Sequence, residues 1–466
     1  MLKRIKLENF KSWKQLDIEL APLTLLFGTN SSGKTSILQS LLLLKQTANS
    51  LDPQEHINLG SDKDYINLGS YSDLIYSHVS QLTLGIDLRW NSHSPQYNSS
   101  ETEDYVEPKW GVNYSIGWAE INDRVAIERL KYATTWSSNH SIIDSPTITA
   151  FRVPNNDFEY DYEVSEPWFV LPDVSDFPPQ SCYIIPYSVR PQYLVPYQAE
   201  NGEKSSIPIH FDVSGYSIAF KSLIDRITYL GPLREAPAWS YQWQGSQSQT
   251  IGPKGENTVT ALIASARGSQ AHAGLLSHVT SWLQQLELAS ELNVRAIGEE
   301  KRFYEAIVAV GSEHMLTSLT AVGFGISQVL PVLTLLFLAP RGSIVLIEQP
   351  ELHLHPSAQA HLADLFLEVA ETRNLQLIVE SHSEHLLRRI QRRIAEREQT
   401  FATPENIKAY FCEPGSDGST IREVEVDEYG QIRNWPENFF GDLAGDLDAM
   451  MSAALERRRQ ELSEGG

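Results

Sequence analysis

Cysteine is almost missing from these 466 residues: Cys182 and Cys412 stand far apart and no CxxC pair occurs. That excludes a disulfide scaffold and a cysteine-built zinc site, and it fits a reducing compartment, with the cytosol as the default. Basic residues are scarce beside acidic ones: 37 Lys and Arg face 59 Asp and Glu, a formal charge of −22. Such a surface cannot coat nucleic acid as a whole, which leaves any DNA contact to a local basic patch. Long apolar runs are lacking too. The stretches near 37–44 and 329–339 are shorter than a bilayer span, and Met1-Leu2-Lys3-Arg4-Ile5 leads into charged sequence without an apolar leader core. The expectation is a chain that is neither secreted nor membrane-crossing. Internal repeats and heptads are absent as well. What is present is 41% hydrophobic residues, ample for real cores, over a length that suggests roughly two to three domains.

The order of patterns is strand, phosphate loop, helix, then a long β-rich stretch, then the second half of an α/β core. Strands are expected at Ile5–Glu8, Leu16–Leu20 and Leu23–Phe27, followed by a Gly/Ser loop and an apolar helix through Leu44. From about 81 to 225, alternating segments such as 81–90 sit among Tyr, Trp, Pro, Asn and Ser, which reads as a β-rich insertion whose aromatics pack a sheet. Asn91–Asp104 and Pro196–Ser206 read as loop tips. Helical spacing returns over 258–290, strands are expected at 303–311 and 315–320, and 325–339 is an apolar helix interrupted by Pro331. Ser343–Ile347 and Leu375–Val379 read as buried strands, and His355–Thr372 and Glu384–Glu398 as helices. Near the end, strands at Ile407–Cys412 and Ile421–Val426 flank a turn at Asp427–Gly430.

Gly28-Thr-Asn-Ser-Ser-Gly33-Lys34-Thr35 satisfies G-x-x-x-x-G-K-[ST], directly after an apolar strand and before a helix. Glycines let backbone N–H groups curl round a phosphate, Lys34 compensates the β and γ charges, and the Thr35 hydroxyl can ligate Mg²⁺. The nucleotide-binding set is therefore Gly28, Asn30, Ser31, Ser32, Gly33, Lys34, Thr35 and Ser36. A P-loop needs an acidic strand end to hold the metal, and Ser343-Ile-Val-Leu-Ile-Glu348 supplies one, so Glu348 joins Thr35 as the expected metal ligand. The next position, where a glutamate would act on the attacking water, is Gln349, a neutral amide that can orient water but accepts a proton poorly. Either Glu351 or Glu348 takes over, or turnover is slow and the protein works mainly as an ATP-bound switch.

With Leu7-Glu-Asn-Phe-Lys11-Ser12, the P-loop, Glu348-Gln-Pro-Glu-Leu-His-Leu-His-Pro356 and Val379-Glu-Ser-His382-Ser together, the chain resembles the ABC-type AAA family ATPases of the SMC, RecF and OLD group. Tyr229-Leu-Gly-Pro-Leu-Arg234, Gly252-Pro-Lys-Gly-Glu256 and Asn434-Trp-Pro-Glu-Asn-Phe-Phe440 are similar to a bacterial subgroup with a short C-terminal domain of unknown function, often linked to anti-phage defence. The resemblance implies a composite site in a homodimer or higher even-numbered oligomer. ATP on one P-loop would be closed over by the partner's signature segment, for which Gly323, Gly325 and Ser327 are candidates. It also places His382 as the switch histidine beside the γ-phosphate, and His353 and His355 in a loop that crosses between subunits. Lys11 and Arg234 are candidate phosphate contacts, and Arg388, Arg389, Arg392 and Arg393 line a helix that would meet DNA, an acidic partner or only solvent. Five histidines between 353 and 385 lack the carboxylate or cysteine spacing of a zinc site, so Mg²⁺ with ATP is the expected cofactor set.

These readings combine into an α/β ABC-type P-loop ATPase head with a β-rich insertion and a small α+β C-terminal cap. The expected boundaries are 1–80 for the N-terminal part of the head, 81–228 for the insertion, 229–400 for the C-terminal part and 401–466 for the cap. No long coiled coil and no nuclease-type acidic cluster accompanies the head, so an effector would be a separate protein. The function expected is slow Mg²⁺-dependent ATP hydrolysis in an ATP-gated sensor or scaffold, most simply one of anti-phage defence. DNA repair or genome maintenance is the alternative, and a transporter's energising subunit the weakest of the three.

Overall fold

Two apolar strands, Leu23–Gly28 and Ile344–Glu348, are buried along almost their whole length, which requires cover on both faces. In the computed structural model they belong to a sheet ordered 227–230, 344–348, 376–380, 23–28, 407–415, 418–423. All neighbours pair in parallel except the last pair. The structure describes residues 1–435 apart from 51, 53–54, 93–108, 122–123, 139–140, 145–147, 153–159, 165–168, 171–191, 199–203, 211–213, 246–249, 312–314 and 398–400, together with 449–455 and 457. Of the expected loop tip Asn91–Asp104, Asn91 and Ser92 close the strand Leu84–Ser92 and the rest lies outside these residues, as do Cys182 and the end of the Trp435–Phe440 segment.

The period-two alternation of a strand assigns the two cover layers. Leu26, Ile344, Leu346 and Ile378 join a core with the helix Lys34–Ala48 and an antiparallel sheet, while Leu25, Val345, Ile347 and Val379 join a second core with helices from 258 onward. The helix Lys34–Ala48 is buried nearly all round because it lies between both sheets, as its run of leucines requires. The antiparallel sheet begins with the hairpin Leu2–Phe10 and Trp13–Glu19 and continues through Leu84–Ser92, Lys109–Ile121 and Arg124–Ser138. The β-rich stretch thus extends the first hairpin. Among the described residues its aromatics pack inward: Trp118 and Tyr132 are fully buried, and Tyr132 stacks on Tyr216 at 5.2 Å.

Some expectations differ from the structure. Pro196–Gln198 and Lys204–Ser206 lie in paired strands, with Pro196 opposite Ser206, where a loop tip was expected. Polar composition hid the strand pairing. Helix Phe324–Leu338 runs unbroken through Pro331. A mid-helix proline costs about 3 kcal/mol, and buried flanks such as Val329, Leu330, Val332 and Leu333 outweigh it. At the C-terminal end, Ile407–Gly415 pairs in parallel with Leu23–Gly28, so this segment widens the central sheet beside the P-loop strand.

Candidate functional site

The loop after Leu23–Gly28 is held by close backbone approaches. Gly28 has φ 141°, and a Cβ there would lie 2.1 Å from the Cys412 carbonyl oxygen, so the neighbouring strand 407–415 demands glycine. Gly33 has φ 87°, and a Cβ there would strike Ser12 Oγ and the Trp13 ring. Trp13 Nε1 donates to the Gly33 carbonyl at 2.9 Å, which fixes the loop against the first hairpin. Lys34 Nζ donates to the carbonyls of Thr29 (2.7 Å) and Gly28 (3.1 Å), so the ammonium lies across the loop it would share with a phosphate. Burial holds its pKa below the usual lysine value.

A cleft of about 410 Å³ opens over this loop, lined by Asn30, Ser31, Ser32, Gly33, Lys34, Thr35 and Ser36 together with Lys11, Ser12, Gln39, Gln349, Glu380 and His382. The structure therefore brings most of the expected nucleotide set together with Gln349 and His382. Lys11 lines this cleft, its Nζ donating to Gln39 Oε1 at 2.6 Å, and Ser12 Oγ is buried there without a hydrogen-bond partner among the described residues. Burial lowers the pKa of His382, and the Lys34 charge lowers it further, which favours a neutral imidazole. A larger cavity of about 790 Å³ lies around Lys45, Tyr65 and Glu256, away from the phosphate loop.

Sequence reasoning missed Glu380. Ile344–Glu348 and Gln376–Glu380 each end in glutamate, with Glu348 and Glu380 register partners, and alternation turns both toward the side of helix Lys34–Ala48. The strand 376–380 lies between 344–348 and the P-loop strand, so Glu380 is the nearer acid. Thr35 Oγ1 donates to Glu380 Oε2 at 2.8 Å. Glu348 is occupied elsewhere: the Tyr229 hydroxyl donates to its Oε1 at 2.7 Å, and it is 4% exposed. Burial pushes its pKa up to about 7 against the lowering effect of the Tyr229 bond. A repeated signal was available, since both strands read as an apolar run closed by glutamate.

Arg234, a candidate phosphate contact, sits instead behind the acidic turn. Its guanidinium donates to the backbone carbonyls of Glu348 (2.8 Å), Pro232 (2.8 Å) and Gln349 (3.4 Å). The Tyr229–Arg234 motif is thus a clamp on the end of strand 344–348. A second motif braces it, because Gly231 N–H donates to the Pro253 carbonyl and Glu235 N–H to the Lys254 carbonyl, both at 2.8 Å. Gln349 adopts φ 44° and its N–H donates to the Glu380 carbonyl at 2.8 Å. Glu351 is buried and accepts the His382 N–H at 2.6 Å, tying the acidic turn to the residues after strand Gln376–Glu380, while its Oε2 has no hydrogen-bond partner among the described residues. It does not line the cleft.

Gly323, Gly325 and Ser327 lie outside the cleft, at the start of helix Phe324–Leu338. That helix start has no side-chain cap, Phe324 is 73% exposed, and its ring lies 5.7 Å from that of His353. Ser327 Oγ donates back to the Phe324 carbonyl at 2.9 Å. The arginines of helix Glu384–Glu396 are engaged: Arg389 and Arg393 meet Asp364, Arg388 meets Glu384, and Arg392 meets Glu396. The donors facing one another at the phosphate loop are the Thr35 hydroxyl and the Glu380 carboxylate, hard oxygens of the kind Mg²⁺ takes with one or two carboxylates plus phosphate. Among the described residues no group of three or more His, Cys, Asp or Glu gathers as a metal cage, and no helix is long and apolar enough to cross a membrane.

Residues 1–99 and 271–387 match the AAA ATPase domain family, and residues 403–450 match a family described as a protein of unknown function, DUF3696. The first match contains the phosphate loop, the acidic turn and His382, and it supports an ATPase of the AAA kind. No curated protein matches the chain. Among solved structures, it is similar to an SmcHead bound to the C-winged helix domain of ScpA, with 12% identity, TM-score 0.43, and 91% of this chain and 98% of that chain covered. The SMC head domain from Thermotoga maritima gives 12% identity and TM-score 0.38, covering 91% and 99%. An Smc head domain with an extended coiled coil bound to the C-terminal domain of ScpA, from Pyrococcus furiosus, gives 11% identity and TM-score 0.40, covering 98% and 99%.

Proposed function

We propose that this chain is a Mg²⁺-dependent, slowly hydrolysing ABC-type ATPase that acts in the cytosol as an ATP-gated sensor or scaffold of bacterial anti-phage defence, with a separate effector. The observation that carries the ATPase part is one cleft lined by Asn30 to Ser36 of the phosphate loop together with Gln349, Glu380 and His382. Loop N–H groups and Lys34 compensate the phosphate charge, Gln349 orients water without taking its proton, and the His382 imidazole donates to the terminal phosphate. Bound Mg²⁺ would neutralise charge on the β- and γ-phosphate oxygens, with Thr35 and an acidic strand end as its protein donors. The uncapped, exposed helix start at Gly323 and Phe324 stands apart from this cleft, which supports completion of the site by a second copy of the chain. The anti-phage role rests on the resemblance carried by the subgroup motifs.

A second reading, a DNA-engaged ATPase, is favoured by one surface. Arg4, Lys6, Arg89, Arg129 and Lys131 line a groove of about 360 Å³ on the outer face of the antiparallel sheet, with Asp87 among them. The test is ATP turnover of wild type and Lys34→Ala, with and without double-stranded DNA, alongside mass photometry. Slow turnover lost in Lys34→Ala, indifferent to DNA and arising from an even-numbered oligomer, is the expected result. Turnover that survives Lys34→Ala overturns the ATPase reading, and stimulation by DNA that weakens steeply with salt puts the second reading first.

A further inference from the structure

The acid two strands away from the phosphate loop is the one the motif spacing selects, yet the acid that touches the loop is on the strand between. Glu380 closes Gln376–Glu380, the direct neighbour of Leu23–Gly28, and lines the cleft with Lys34 and Thr35. Its Oε2 accepts the Thr35 hydroxyl at 2.8 Å. A hydroxyl that spends its proton on a carboxylate keeps its lone pairs free and turned away from that carboxylate, the state in which it can ligate a cation. Glu348 has a different set of neighbours. Its Oε1 takes the Tyr229 hydroxyl, its carbonyl takes Arg234, and it is absent from the cleft lining. We propose that Glu380 is the carboxylate that anchors the nucleotide's Mg²⁺ in this protein, by holding the Thr35 hydroxyl and adding its own charge beside it, while Glu348 serves chiefly to hold the acidic turn. The two roles that one strand-end acid would combine are divided between neighbouring strands.

This inference rests on the ATPase reading, and its test separates the two. Binding of a fluorescent, non-hydrolysable ATP analogue is titrated with Mg²⁺ for wild type, Glu380→Gln, Glu380→Asp, Glu348→Gln and Lys34→Ala, with melting temperatures taken in EDTA. Loss of a partner that orients a metal ligand costs about 10- to 100-fold in metal affinity. Glu380→Gln is therefore expected to raise the half-saturating Mg²⁺ concentration by about that factor. Its melting temperature in EDTA should not fall. Glu380→Asp should show a smaller rise, and Glu348→Gln should keep the wild-type Mg²⁺ dependence. Mn²⁺ bound with the analogue gives an independent spectroscopic reading, in which Glu380→Gln should lower occupancy at equal Mn²⁺. If Glu380→Gln titrates like wild type, or if Glu348→Gln carries the larger shift, the proposal is wrong. Should Glu380→Gln fail to fold, Glu380→Asp with wild-type cation dependence overturns it equally. Loss of analogue binding in Lys34→Ala keeps the ATPase reading standing whatever Glu380 does, and wild-type binding in Lys34→Ala removes that reading by itself.

Discussion

Glu348 and Glu380 close neighbouring parallel strands in direct register, on the same face, yet their surroundings are opposite. One is enclosed by a tyrosine hydroxyl and an arginine clamp behind the acidic turn; the other faces a cleft and a threonine at the head of helix Lys34–Ala48. Adjacency to the P-loop strand makes the difference, since each strand step moves a side chain by about 5 Å. A motif read along the chain weighs an acid by the residues next to it in sequence, whereas the sheet weighs it by which strand it closes.

Removing the clamp on the Glu348 side should disturb this contrast most severely. Arg234 is 8% exposed, and its guanidinium satisfies the carbonyls of Glu348, Pro232 and Gln349. Arg234→Met keeps bulk but leaves the buried Glu348 carbonyl and the part-buried Pro232 carbonyl without this donor and removes the positive charge near Glu348 and Glu351. A loss of about 3 kcal/mol is expected in urea denaturation at neutral pH. Turnover should fall with it, because Gln349 holds a strained φ of 44° inside that turn. A stability within error of wild type would show that the clamp does not fix the acidic turn.

A somewhat smaller effect exposes the contrast through pH. Burial raises Glu348 from its ordinary value of 4.5 to about 7, so the folded protein binds a proton there that the unfolded chain has already released. Its contribution is therefore most favourable below about pH 4.5, declines as pH rises through the window to about 7, and is flat above. The full shift corresponds to at most about 3 kcal/mol. Glu348→Gln should remove that decline, so the difference between mutant and wild type in urea denaturation should move in the mutant's favour between pH 5 and pH 8. A constant difference across this range would show that Glu348 is not desolvated as its position implies.

How much of this was legible depended on separation along the chain. The Gly28–Thr35 loop, Glu348, Gln349 and His382 were visible because each is defined by a strand and a turn next to it, and the cleft gathers Asn30 to Thr35 with Gln349 and His382 but not Glu348. Glu380 stood inside the Val379-Glu-Ser-His382 stretch, but its value depends on a strand order that joins residues 23–28 to 376–380. Tyr229 and Arg234 were visible as a motif, while their partners more than a hundred residues away were not. The same holds for Ile407–Gly415, whose pairing beside the P-loop strand explains why Gly28 must be glycine. Local patterns carried the elements; their neighbours came from the sheet.

The finest test concerns the single bond that separates the two acids' environments. Tyr229 donates to Glu348 Oε1 at 2.7 Å in a buried setting, and that bond is a cause that lowers the Glu348 pKa. Tyr229→Phe removes the donor without changing the ring. The charged carboxylate then loses a charge-assisted bond, for a cost of about 1–2 kcal/mol, while a protonated carboxyl loses a weaker neutral one. The deficit measured by urea denaturation should therefore be larger at pH 8 than at pH 5. Equal deficits at the two pH values would mean that the hydroxyl serves packing alone. Mg²⁺-dependent nucleotide binding should stay close to wild type in this variant, because the bond belongs to the acid that is not among the residues lining the cleft.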